Sequence, residues 1–583
     1  MSKKQEITVS QYIVEFLKRK NIECVFELSG GMIMDLIDAL HVDGQIRIVN
    51  VHHEQSAAFA ADAVGRLSGA PGVAIATSGP GATNLLTGIG SCYFDSSPAL
   101  FITGQVKSNE QKGSRHIRQL GFQETDIVSM AKPVSKEVYR IRGADEVPAV
   151  LEEAYRLTLA GRPGPVLIDI PMELFRTTIR SMDEKAYSPV ERLAPRPTIP
   201  MALARTLIAD LKAARRPLIL IGGGVRAADA ADLLLQFSEV TKTPVVWSLM
   251  AVDVVPSDSA SAVGMIGTYG NRWANLAVSQ SDFILVLGSR LDIRQTGANT
   301  VSFKRGRTIY HVDVEEGEIN NRVVDCQPVL ADIGECLSVL LEVIGADKFE
   351  TRVEWTQNIA ALRAQWPDTS ELLDIRGINP NHFMKELSAG RRAAVYAVDV
   401  GQHQMWAAQS LRIGAGQRFI TSGGMGAMGF ALPAAIGAAF QVGKSRPIVA
   451  IAGDAGFQLN IQELQTIVRN RLPVKIVVIN NNCHGMTRQF QETYFQARYQ
   501  GTVWDYDAPD FEKVANAYGI NGATVSVTED IPQALAAFWR DPLEPFMLQV
   551  IIDTYTNVYP KLAFGKEISD MEPFAKPIEM EGT

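Results

Sequence analysis

The chain has 583 residues, 46% of them hydrophobic and 21% charged, with a formal net charge of −8. That length corresponds to about two to four domains, and the apolar share excludes a largely disordered chain. An acidic balance without a basic block excludes long-range attraction to nucleic acid or to an anionic membrane, so neither is expected as a partner.

The opening stretch MSKKQEITVSQYIVEFLKRKN has scattered charges and no apolar core segment, unlike a signal peptide. No apolar run reaches the length of about 18 residues that a membrane span needs. The five cysteines, Cys24, Cys92, Cys326, Cys336 and Cys483, form no CxxC pair, so neither a disulfide framework nor a cysteine zinc site is expected. These features together set a cytoplasmic expectation.

Residues 9–20, VSQYIVEFLKRK, carry apolar side chains at helical spacing. VFELSGG reads as a strand and glycine turn, MDLIDAL as a helix leading into the strand IRIVNV, and HEQSAAFAADAVGRLSG as an alanine-rich helix. PGVAIATSGPG is a buried strand ending in a Gly/Pro turn, NLLTGIGSCYFDS a helix, PALFITGQ a strand, and GRPGPVLIDIP at 161–171 closes the unit. Residues 181–200 are rich in proline and charge, as a linker would be. A second unit runs through RPLILIGGGV, TPVVWSLM, SDFILVLGSR and RTIYHVDVE and fades near 350. A third begins near 370 with AVYAVDVG, RPIVAIAGDAGF, LPVKIVVINNN and PFMLQVIID. Continuously apolar strands separated by helices predict parallel sheets covered on both faces, hence three consecutive α/β domains.

The sharpest chemical pattern is GDAGF followed by NNN. Gly453 and Asp454 lie just past one predicted strand, and Asn480, Asn481 and Asn482 just past the next. In a parallel sheet both ends point the same way, so Asp454 and an asparagine can face each other above the sheet edge. Carboxylate and amide oxygens suit a hard cation such as Mg²⁺. Gly453 and Gly456 leave room for phosphate, and the helix after Asp454 offers its N-terminal amides. The same residues also make ordinary strand-end turns, and spacing alone leaves both readings open. SGPGATN at 78–84 and GGG at 222–224 are strand-end glycine turns able to admit a ligand, the second without the GxGxxG form. Glu54, in HHEQ, follows a strand and precedes a helix, a place for a general acid or base. The adjacent His52 and His53 diverge rather than chelate, and no HExxH supports a zinc protease.

In their order and spacing, TSGPGATN, GRPGPVLIDIP, VGQHQMWAAQ at 400–409, TSGGMGAMGFALPAAIGA, GDAGF with NN, and HGMTRQFQ resemble the signatures of thiamine-diphosphate-dependent 2-oxo acid decarboxylases and synthases. The chain is most similar to the catalytic subunit of acetohydroxyacid (acetolactate) synthase, over almost its entire length. The resemblance implies a pyrimidine-binding domain at 1–185, a central FAD-type domain at 190–350 and a diphosphate- and Mg-binding domain at 365–583. It further implies active sites between two chains, hence a homodimer or homotetramer. A regulatory small subunit is compatible with it and indicated by no motif.

Residue by residue, the resemblance makes Asp454 and Asn481 the side-chain ligands of Mg²⁺, with the Cys483 carbonyl as a third donor. Gln402 and His403 fall near the diphosphate with Gly453 and Gly456. Gly401, Gly426 and Met428 fall near the pyrimidine, Met428 being the apolar wedge that bends the coenzyme. Contacts with the coenzyme extend to Pro80, Asn84, Val400, Ala455, Gly485 and Met486, with Gly31 on the substrate side. Glu54 matches the glutamate on the pyrimidine N1′, which favours the tautomer whose 4′-nitrogen takes the C2 proton. Pyruvate then loses CO₂, and the two-carbon unit passes to a second carbonyl compound. Phe122 and Gln123 match residues beside the reaction centre, and Arg294 the arginine that holds the acceptor's carboxylate. FAD contacts are implied for Gly222, Gly223, Gly224, Gly264, Met265, Gly267, Thr268, Gly288, Arg290, Asp292, Arg294, Asp313, Glu318 and Ile319, with Asp332 near the adenosine end.

Three positions depart from the synthase pattern. Met172, in IPME, replaces a lysine near the substrate entrance; Phe490, in RQF, replaces a tryptophan; and His484 stands where glutamine or leucine is usual. The resemblance thus implies 2-acetolactate formation from pyruvate and a 2-oxo acid acceptor. A related carboligase acting on another acceptor, such as a nucleotide-linked keto-sugar, is the alternative, followed by a pyruvate decarboxylase or oxidase.

Overall fold

The computed structural model describes residues 6–179, 196–390 and 392–578. The linker expected at 181–200 lies, up to residue 195, outside the described residues.

Three six-stranded sheets follow one another along the chain, and every strand pair in them is parallel. The first is built from β1 (Cys24–Leu28), β2 (Arg47–Asn50), β3 (Gly72–Ala76), β4 (Ala99–Gln105), β5 (Glu137–Arg140) and β6 (Pro165–Pro171), in the order β2-β1-β3-β4-β6-β5. The second contains β7 (Pro217–Ile221), β8 (Val245–Trp247), β9 (Ala262–Met265), β10 (Phe283–Leu287), β11 (Thr308–Asp313) and β12 (Gln327–Leu330), in the order β12-β11-β10-β7-β8-β9. The third contains β13 (Val395–Val398), β14 (Arg418–Thr421), β15 (Ile448–Gly453), β16 (Val474–Asn480), β17 (Asn521–Val525) and β18 (Phe546–Ile551), in the order β14-β13-β15-β16-β18-β17.

The first and third sheets therefore share one topology, and the central one is doubly wound. The inner strands β3, β4, β6, β7, β10, β13, β15 and β16 are buried at every residue. Helices cover both faces, which is why these strands read as unbroken apolar runs.

The first and third units share a hydrophobic core through two alanine-rich helices, Glu54–Ser68 and Ala431–Val442. Their backbones nearly touch: a Cβ on Gly437 would stand 2.2 Å from the Ala60 carbonyl oxygen. Small side chains allow that approach, and Ala57, Ala58, Ala60 and Ala61 pack without exposure against Ala434, Ala435, Ala438 and Ala439. Another core cluster joins the central unit to the third. Among the described residues no helix is long and apolar enough to cross a membrane.

Candidate active site

In open parallel sheets, ligands sit outside the carboxyl ends of the strands where the strand order reverses. Each sheet has one such point: β1/β3, β7/β10 and β13/β15. The sequence-predicted residues gather at all three.

At the third point, the turns after β13, β15 and β16 bring together Asp399–Gly401, Gly453–Gly456 and Asn481–Gly485. The buried Asp399 carboxylate accepts hydrogen bonds from the backbone N–H groups of Val400 (2.8 Å), Gly429 (2.9 Å) and Ala431 (2.9 Å). It thereby pins one side of the loop that carries Gly426 and Met428. Burial pushes its carboxyl up to about 6, against the pull of those three amides. The loop's other side is held by Asp95, which accepts from Gly423 N–H (3.0 Å) and Gly424 N–H (2.6 Å). Met428, half-buried, lies between the two anchors.

Gln402 opens the helix Gln402–Ser410, and its Oε1 accepts from Asn481 Nδ2 at 3.0 Å. Gly485 opens the helix Gly485–Tyr494; a Cβ there would stand 2.0 Å from Gln402 Oε1 and 2.8 Å from Asn481 Nδ2. A Cβ on Gly453 would stand 2.9 Å from His403 Nδ1, and one on Gly456 2.8 Å from Asp399 Oδ1. These glycines keep a cradle open that any side chain would fill. His403 is buried, which lowers its imidazole to about 3 and keeps it neutral; its Nε2 has no partner among the described residues.

Asp454 is 2% exposed, and its Oδ2 likewise has no partner among the described residues. Burial raises its carboxyl to about 6, although the Ala455 backbone N–H, the neighbouring Tyr506 hydroxyl and the Cys483 backbone N–H favour its charge. A buried carboxylate oxygen left bare costs about 1–3 kcal/mol or more, a cost that a bound cation removes. The Cys483 thiol donates to the Thr554 carbonyl at 3.4 Å, and burial pushes it up to about 12, so it is no nucleophile at neutral pH. Val400 and Met486 are half-buried beside the cradle.

At the first point, Glu54 starts its helix just past β2 and is 6% exposed. His53 caps that helix through Nδ1, which accepts from Gln55 N–H at 3.1 Å, a structural role. Glu54 Oε2 accepts from Asn84 Nδ2 at 2.9 Å, and a Cβ on Gly81 would stand 3.3 Å from Glu54 Oε1. Thr77 Oγ1 accepts from Met32 N–H at 3.3 Å, which ties the Gly30–Gly31 turn to the Pro80–Asn84 turn. Gly79, at φ +65°, lies against Gln123, itself in the left-handed region at φ +68°. Phe122 beside it is 80% exposed. The structure thus brings Gly31, Glu54, Pro80, Asn84 and Gln123 to one place. Sequence reasoning missed Thr77, Asp399 and Glu124; Glu124 folds the loop before Phe122 by accepting from Lys112 N–H (2.6 Å) and Leu120 N–H (2.7 Å).

Among the described residues no hydrogen bond joins the Glu54 group to the Asp454 group. The helix Asp454–Leu459 rises about 9 Å from Asp454. Asn460, just past its end, meets the Glu54 helix by accepting from Ser56 Oγ (2.9 Å) and donating to Gln55 Oε1 (3.1 Å).

At the central point an open cleft of about 1270 Å³ runs over Gly222, Gly223, Gly224 and Gly288. The turns after β7 and β10 touch backbone to backbone, a Cβ on Gly222 falling 2.2 Å from the Gly288 carbonyl oxygen. Met265, Thr268, Arg290, Asp292, Arg294, Asp313 and Asp332 also line it, with Asp95, Arg162, Gly423 and Gly424 contributed from the other units. Asp292 Oδ1 accepts from Arg294 N–H at 2.9 Å and fixes that short helix. The Arg294 guanidinium is exposed and makes no hydrogen bond among the described residues. Four expected residues stand behind the lining. Gly264 is pressed against Trp273 (Cβ to Nε1 2.9 Å), and Gly267, at φ +112°, against the Arg294 carbonyl (2.3 Å). Glu318 pairs with the lining Arg162 at 2.8 Å, and Ile319 follows it.

Comparison with known proteins agrees with this division. Residues 7–130 match the thiamine pyrophosphate enzyme N-terminal TPP binding domain, 204–340 the central domain and 399–550 the C-terminal TPP binding domain. The acetolactate synthase large subunit of Parasynechococcus marenigrum is 36% identical over 97% of this chain and 91% of that protein. The acetolactate synthase isozyme 2 large subunit of Escherichia coli is 36% identical over 96% and 98% respectively. The acetolactate synthase large subunit of Lactococcus lactis is 33% identical over 96% and 95%.

Proposed function

The chain belongs to the thiamine pyrophosphate enzyme family, in its acetolactate-synthase-like branch, and on that premise we propose that it decarboxylates pyruvate and joins the two-carbon unit to a 2-oxo acid. With pyruvate as acceptor the product is 2-acetolactate. The observation that carries the reading is the buried Asp454 carboxylate with a bare oxygen, set beside a glycine-walled cradle at a switch point.

The donor set fits Mg²⁺: oxygens from Asp454, Asn481 and the Cys483 carbonyl. Gly453, Gly485 and the start of the helix Gln402–Ser410 would receive the diphosphate. Thiamine diphosphate, when bound, supplies the electron sink that decarboxylation of a 2-oxo acid requires. Glu54 holds a proton at the pyrimidine N1′, and Asn84 fixes the carboxylate that does so. Met428, on its doubly anchored loop, would supply an apolar support for the bent coenzyme. In this reading Glu54 serves a coenzyme held by a second copy of the chain; within one chain, among the described residues, no hydrogen bond joins the Glu54 and Asp454 groups. The unit of function is then a homodimer or homotetramer, with the cytoplasm as its compartment.

FAD is proposed for the central cleft; its lining glycines Gly222, Gly223, Gly224 and Gly288 would face the dinucleotide phosphate and its lining Asp332 the adenosine end. Arg294, free of other hydrogen bonds and planar, would hold the acceptor's carboxylate. A second reading is favoured by Phe490. It is 42% exposed and clusters with Tyr494 (4.9 Å) and Phe495 (5.7 Å), an aromatic shelf suited to a bulkier acceptor such as a nucleotide-linked keto-sugar. Met172 in place of a cation weakens attraction for any anionic acceptor, a 2-oxo acid included.

Incubation with pyruvate alone, read by mass spectrometry, tests the reading. 2-Acetolactate supports it; acetaldehyde indicates a decarboxylase and peroxide an oxidase. Product that forms only when a keto-sugar nucleotide is added supports the second reading.

A further inference from the structure

The helix Gln402–Ser410 begins at the coenzyme cradle and ends at a different cavity. This second space, about 880 Å³, lies between the central and third units and shares no lining residue with the central cleft. Its floor is rigid. Gln409 Nε2 donates to the Tyr269 carbonyl at 2.9 Å, and Asn271 Nδ2 donates to the Gln409 carbonyl at 3.2 Å. Trp247 and Trp273 form apolar walls.

Its charge is unbalanced. Arg363 from the helix Val353–Gln365, Lys385 from the helix Pro380–Ser388 and Arg412 all line it. None of the three makes an ion pair among the described residues. Arg363 stacks over the Trp273 ring at 5.5 Å, so its N–H edges stay free. Asp368 is the one carboxylate in the lining among the described residues, and it already accepts from Ser410 Oγ at 2.7 Å and Thr369 N–H at 3.0 Å. A concave surface with three cations, two of them solvent-exposed, and one engaged anion, in a chain of net charge −8, concentrates positive potential. Trp247, a lining residue only 9% exposed, has an indole N–H that is sealed from solvent and without a partner among the described residues. The Trp273 N–H, by contrast, donates to the Val263 carbonyl at 2.7 Å.

We propose that this cavity binds a small phosphorylated molecule. Two arginines and a lysine supply the planar forks and the point charge that phosphate oxygens take, and the tryptophan walls leave room for an attached ring. The site is separate from the catalytic cradle and joined to it by one nine-residue helix.

The test uses the full chain saturated with Mg²⁺, thiamine diphosphate and FAD, so that every coenzyme site is filled. AMP and inorganic phosphate are titrated in separately by calorimetry at constant ionic strength. Saturable binding of at least one, at one per chain, is expected. Lys385→Met, Arg412→Gln and Arg363→Gln should each weaken it by about tenfold, the worth of one charged contact near 1.4 kcal/mol. The exposed Lys513→Gln, far from the cavity in sequence and paired only with Asp510, should leave it unchanged. Absence of saturable binding by both probes overturns the proposal, as does binding that the three cavity variants leave intact.

Discussion

Replacing Asn84 with alanine removes the donor that holds Glu54. The bond runs from Asn84 Nδ2 to Glu54 Oε2 at 2.9 Å, onto a carboxylate only 6% exposed. A hydrogen bond to a charged group contributes about 1.5–3 kcal/mol. Asn84 itself is half-buried, so water can replace part of the loss, and the lower end, about 1.5 kcal/mol, applies. That corresponds to roughly a tenfold fall in turnover if the fixed orientation of Glu54 is needed in the rate-limiting proton step. The assay is steady-state product formation from pyruvate at saturating coenzyme, with coenzyme affinity and thermal midpoint measured alongside. We expect turnover to fall about tenfold while affinity changes less than about threefold, the signature of an interaction needed for the chemical step rather than for binding. Unchanged turnover in a folded, coenzyme-saturated variant would refute the role given to the pair.

Gly485→Ala should disrupt the cradle, because the new Cβ meets both Gln402 Oε1 (2.0 Å) and Asn481 Nδ2 (2.8 Å). Overpacking of that kind costs about 1–3 kcal/mol, so Mg²⁺-dependent coenzyme affinity should drop roughly 10–100-fold by calorimetry; wild-type affinity would count against the cradle. Arg294→Ala should raise KM for a 2-oxo acid acceptor far more than for a neutral aldehyde, and equal effects on both would remove the carboxylate role. His403 is held neutral down to about 3, whereas the unfolded chain takes up that proton near 6.5. Its contribution to stability is therefore complete above 6.5 and is lost as pH falls toward 3. His403→Gln should flatten the pH dependence of urea unfolding across that window, and curves parallel to wild type would contradict the burial argument.

Most strands legible in the sequence were the covered ones, the edge strand β2, read from IRIVNV, being the exception. VAIA, LILI and KIVVI announce themselves because both faces are packed, and their burial patterns are unbroken. The unread strands of these sheets, β5, β9, β12, β14 and β17, all lie at sheet edges. There one side faces solvent or a loop, so QPVL and NGATV carry too few apolar residues to stand out. Strand order was also invisible, since pairing is non-local; it is the order that places Glu54, Gly222 and Asp454 at switch points. Asp454 and Glu54 could be named from their motifs. Asp399 and Thr77 could not, because their work is to tie separate turns together through backbone amides. The central cleft was half legible: its glycine turns are local signals, whereas Asp95, Gly423 and Gly424 reach it from other units only in three dimensions. Gly264 and Gly267 belong to the same sequence neighbourhood yet answer to packing against Trp273 and the Arg294 carbonyl.

The proposed function requires Glu54 of one chain and Asp454 of another to meet at a single coenzyme. Glu54→Gln and Asp454→Asn chains, each inactive alone, can be co-expressed with different tags and the mixed oligomer purified. A shared site predicts that pairing the two variants rebuilds one of the two centres, giving the purified mixed dimer about half of wild-type carboligation. Mixed oligomers that form but stay inactive would place both residues in a centre belonging to one chain and contradict the account.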